Sequence, residues 1–106
     1  MTPLFRRGRF ADVIRRQLAL FEQDQADLIA EVQAAERAYD AAARDDAEAK
    51  YAEYADLVET ATEALADVRD HFARSLADDA ATEYEGEFNA AVTKRWRAFG
   101  LEIENR

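Results

Sequence analysis

The chain has 106 residues, 49% of them hydrophobic, no cysteine, and a formal net charge of −9 at pH 7. That length suits one domain able to bury a core, and the missing cysteines exclude disulfides, thiolate metal sites and thiol nucleophiles together. No apolar run approaches the roughly 18 residues needed to cross a bilayer, and the first residues carry no secretory pattern, so a cytoplasmic protein is expected.

With only three Gly and one Pro among abundant Ala, Glu, Arg, Asp and Leu, the composition predicts an all-α chain. Charge is unevenly spread. Residues 1–16 carry five arginines against Asp12, residues 17–93 carry 20 acids against five bases, and residues 94–106 carry four bases against two acids. An acidic body with basic ends repels phosphate backbones, which argues against general nucleic-acid binding.

Pro3 and Gly8 predict an irregular lead over residues 1–9. Around it, Arg6, Arg7, Arg9, Arg15 and Arg16 alternate with Leu4, Phe5, Phe10 and Ile14. They are a candidate contact for an anionic surface, a membrane or an acidic partner. The competing reading pairs these arginines with the chain's own acids or with those of a second subunit.

A first helix is predicted over about 10–43, with an apolar ladder of Ile14, Leu18, Phe21, Gln25, Leu28, Val32, Ala35, Tyr39 and Ala42. Leu20 and Ile29 widen its apolar face. At 1.5 Å per residue it would extend roughly 50 Å, a rod rather than a globule. Gln25, the polar rung, reads as a register-setting or partly exposed position.

At Arg44-Asp45-Asp46 the ladder slips and restarts at Ala47, Tyr51, Tyr54, Val58, Ala61, Leu65, Val68 and Phe72. Asp45 with Glu48 has capping-box spacing. A reversal is therefore predicted there, with a second helix over about 46–77. Facing positions then sum to about 89 or 90, pairing Leu18 with Phe72, Phe21 with Val68 and Tyr39 with Tyr51.

A third helix is predicted over about 80–99, capped by Thr82 with Glu85 or Asp79 with Glu83 and stopped by Gly100 at C′. Its apolar side is Tyr84, Phe88, Ala91, Val92 and Phe99, with Trp96 beside it as a packing anchor. Folded onto helix two, it would bring Tyr84 near Phe72, and residues 100–106 form a tail. The expected architecture is a three-helix bundle, a long antiparallel hairpin plus a shorter helix.

A third helix of that length covers only one end of the hairpin. Val32, Tyr39, Tyr51, Tyr54, Leu57 and Val58 would remain as an apolar patch, the candidate interface of a homodimer.

Chemistry-bearing residues are sparse. His71 is the sole histidine, with Asp67 one turn before it, and no Glu-x-x-His motif exists to build a di-iron bundle. Ser75 has no triad geometry. Lys94-Arg95-Trp96-Arg97 is a weak nucleic-acid signal without a groove or motif. No catalysis, metal or cofactor is expected. The reading is a structural or protein-interaction module, with a peripheral membrane adaptor as the first alternative and a metal-binding bundle as the second.

Overall fold

A computed structural model describes residues 8–106, so Arg6 and Arg7 lie outside the described residues. The chain is all-helical: α1 (Ala11–Asp24), α2 (Ala26–Asp40), a 3₁₀ turn (Arg44–Asp46), α3 (Ala47–Ala73), α4 (Asp78–Arg95) and α5 (Arg97–Glu104). Its principal extents are 56 × 30 × 24 Å, which is the elongated shape that the long ladders require.

The reversal falls where the phase of the ladder slips. α2 packs antiparallel on α3, and the Tyr39 and Tyr51 rings meet at 5.3 Å, in the predicted register. The capping box does not form, because Asp46 occupies the N-cap of α3 without a side-chain cap bond. The acids of this turn act instead through their charge at the positive end of the α3 dipole.

Helix one is two helices. Gln25, at φ −112 and ψ 29, interrupts it, although its N–H still bonds Phe21 O at 2.8 Å and its carbonyl accepts from Ile29. A half-buried polar rung holds the helix to α3 less firmly than an apolar one would. The chain bends there, and α1 packs chiefly on α4. Phe21 turns its ring to Trp96, centroids 5.9 Å apart, and still shares a hollow with Val68. Of the two flanking residues, Ile29 is buried and Leu20 is exposed.

Helix two ends earlier than predicted, at Ala73, where Ser75 Oγ donates to Phe72 O. Helix three starts two residues early with Ala77 as N-cap and no side-chain cap bond. Asp78 and Asp79 sit in its first turn, favourably placed for the helix dipole. The Tyr84, Phe88 and Val92 side chains are fully buried. Tyr84 meets Phe10 at 5.5 Å, Phe72 at 4.8 Å and Phe88 at 5.8 Å, and its hydroxyl donates to Gln17 Oε1 at 2.8 Å. One side chain thus binds α4 to both α1 and α3.

Gly100 is not a stop. It is helical within α5, and no glycine among the described residues has positive φ. The chain turns one residue before α5, at Trp96, whose extended backbone ends α4. The segment predicted as a tail is therefore mostly helix, with Phe99 and Ile103 buried against α3 and α4.

Arg69 holds that last helix in place. Only 4% exposed, it donates Nε to Asp70 Oδ1 at 2.8 Å, one terminal nitrogen to Asn89 Oδ1 at 3.0 Å and Ile103 O at 3.1 Å, and the other to Arg106 O at 2.7 Å. A cation at the negative end of α5 satisfies carbonyls that the helix cannot satisfy itself. The Arg106 side chain reaches back to Glu59 and Glu63 on α3, both at 3.7 Å.

Four outcomes are expected. Arg69→Met, which keeps the stem but strips the hydrogen bonds, should cost about 2–4 kcal/mol in urea denaturation and lower amide protection in α5 first. Gly86→Ala should stabilise by about 0.5–1 kcal/mol, since nothing lies within 4 Å of an added Cβ. Gly100→Ala should lose that gain, because the new Cβ would meet Thr93 side-chain atoms at 2.8 Å. Burial pushes the Tyr84 hydroxyl from its usual 10 up to about 12. The stabilisation is whole below pH 10 and lost as pH rises towards 12, about 2 kcal/mol in all, and Tyr84→Phe should flatten that alkaline decline in chemical denaturation.

Candidate interaction surfaces

Two surfaces stand out at opposite ends of the charge distribution. The first is a groove of about 640 Å³ between α1 and α4. Small side chains open it: Ala11 on α1, and Ala90 and Ala91 on α4, with Ile14 and Leu18 beneath. Arg15, Lys94 and Arg95 border it. The basic segments from the two ends of the sequence thus meet on one face.

Glu87 also lines the groove, but its carboxylate accepts the Phe10 N–H at 2.9 Å. It caps the start of α1 from across the interface. A Cβ on Gly8 would run into that carboxylate, which sits at the end of a flexible side chain and would have to shift. Arg95 is anchored, donating to Glu22 Oε1 at 2.6 Å with its guanidinium 5.3 Å from the Trp96 ring centre. Lys94 is exposed and has no ion-pair partner among the described residues.

Of the candidate anionic-surface arginines, Arg9 pairs with Glu83 at 3.5 Å and lies over Phe10, and Arg15 pairs with Asp12 at 3.1 Å. Arg16 is exposed on α1. Arg9 and Arg15 are thus engaged with the chain's own acids, in partly exposed pairs of small energetic weight.

The second surface is the far end of the hairpin. The candidate interface there divides in two. Val32 and Val58 are only 4% and 6% exposed within a single chain, and Val32 borders a hollow whose other wall is Trp96 to Phe99. They leave the patch because the predicted tail is a helix that reaches the middle of the hairpin. Tyr39 and Tyr51 remain 37% and 52% exposed, with Tyr54 and Leu57 half-buried. The Tyr51 and Tyr54 rings lie 6.3 Å apart. Partial burial raises the Tyr54 pKa above its usual value, with further contributions from Glu36, Tyr51 and Asp40.

The remaining candidates are dispersed. His71 is exposed, and its Nδ1 lies 3.4 Å from an Arg74 nitrogen rather than against Asp67. Trp96 packs between Phe21 and Phe99, at 5.9 and 5.8 Å. Neither Arg69 nor the groove was singled out from the sequence. The signal for Arg69 was a base four residues after Leu65, within the buried stripe. The signal for the groove was the alanine pair 90–91 preceding Lys94-Arg95.

Among the described residues, no group of three or more His, Asp or Glu side chains is placed to hold a metal ion, and no helix is long and apolar enough to cross a membrane. Compared with known proteins, the chain matches no family model, no curated protein and no solved structure.

Proposed function

We propose that the chain is a non-catalytic helical interaction module, a three-helix bundle in which α1 and α2 act as one bent arm, and that it associates with a second copy through the tyrosine-bearing end of its hairpin. The observation that carries this reading is the edge-to-face pair of Tyr39 and Tyr51, left half open to water beyond the reach of α4 and α5. Aromatic side chains exposed together on a rigid element are the anchors that helical interfaces use.

The reading against catalysis is supported by how the reactive side chains are spent. Ser75 donates to a helix-end carbonyl, and His71 faces solvent beside Arg74. The groove has an alkyl floor, and its carboxylate, Glu87, is spent on the Phe10 N–H.

Sedimentation velocity across a concentration series should show reversible association. Tyr39→Ser with Tyr51→Ser should weaken it by about tenfold or more while leaving the circular dichroism of the fold unchanged. A strict monomer at every concentration would overturn the reading.

A further inference from the structure

We infer that the α1/α4 groove is the counterpart of the tyrosine-bearing end, taking the distal end of a second copy's hairpin. The inference rests on the self-association proposed above and adds the surface that receives it.

Charge decides the pairing. Of the charges lining the groove, Arg15 is paired with Asp12, Arg95 with Glu22, and Glu87 accepts the Phe10 N–H, which leaves Lys94 as its open charge among the described residues, whereas residues 36–53 at the distal end carry six acids against Arg37, Arg44 and Lys50. Groove against groove, or end against end, would bring like charges together, at a cost that electrostatic complementarity avoids. Groove against end brings opposites together. Lys94 is placed to do so because it has no ion-pair partner among the described residues, and Asp40, like Glu36, Asp45, Asp46 and Glu48, has none there either. Asp40 is also the last residue of α2, where an anion meets the negative end of the dipole, so the helix itself gains nothing from it.

Shape and polarity agree. Alanines at 11, 90 and 91 leave an open trough of about 640 Å³ over the Ile14 and Leu18 alkyl groups. Tyr39 and Tyr51 offer rings with polar tips, which suit an apolar floor bordered by cations. Because the two surfaces differ, each copy carries one donor end and one receiving groove. Reciprocal contacts close a pair, and a one-way contact propagates.

The test is a charge reversal read by sedimentation velocity on the full chain at low salt. Lys94→Glu and Asp40→Lys should each weaken association about tenfold, and the double variant should recover to within about threefold of the unmodified protein. Asp40→Lys puts a cation at a helix C-terminus, so its fold is maintained or strengthened. Ala90→Trp, at an exposed helical position, fills the groove and should weaken association by a similar factor, with circular dichroism melting confirming that each variant is folded. Association weakened by the tyrosine substitutions but untouched by Lys94→Glu and Ala90→Trp would overturn this inference and leave the self-association reading standing. Absence of association in the unmodified protein would overturn both.

Discussion

The buried guanidinium of Arg69 is the interaction on which the rest of the arrangement depends. A charge removed from water has to be paired or fully hydrogen-bonded, and this one finds four acceptors, one each on α3, α4 and α5 and one just beyond α5. Two of them are backbone carbonyls at the end of α5. Because those carbonyls sit at the negative pole of a short helix, the contact both satisfies the charge and fixes the helix against α3. Without α5, Val32 and Val58 would be surface residues. With it, the apolar core extends half-way along the hairpin and stops short of the tyrosines.

Tyr84 plays the matching part at the other end. Its ring is enclosed by Phe10, Phe72 and Phe88, and its hydroxyl is satisfied by Gln17. This makes α4 the central element of the proximal half and explains why α1 leaves α3 at Gln25. A straight first helix would bring its apolar rungs to α3 alone, whereas a bent one lets Ile14, Leu18 and Phe21 share a core with α4. The bend also opens the outer groove, since the α1 and α4 surfaces facing away from the core are lined by alanines.

The charge pattern acquires meaning only in three dimensions. Along the chain it is basic, acidic, basic. In the fold the basic segments at either end of the sequence lie side by side around the groove, and the acidic middle of the sequence forms the distal end. That separation gives the molecule two unlike surfaces, a groove with Lys94 open at its border and an end that carries Tyr39 and Tyr51 among acids.

Much of this fold is readable from periodicity. A four-three ladder specifies which face of a helix is buried, and a one-residue slip in that ladder specifies a reversal, so helical content, the turn near Asp45 and Asp46, the Tyr39–Tyr51 register and the Tyr84–Phe72 contact were all legible. Helix ends and breaks were not. Gln25 was readable as a polar rung but not as a bend, because a bend depends on whether α3 or α4 offers the better partner. Gly100 resembled a stop signal because local propensity disfavours glycine in a helix, and tertiary packing against Thr93 and the Arg69 hydrogen bonds override that preference. The groove and its cationic border were decided by tertiary structure alone, since Ala11 and Arg15 come together with Ala90 and Lys94 only when α4 folds back along α1. Periodicity describes one helix at a time, while the choice of neighbour is settled by which faces can be buried together.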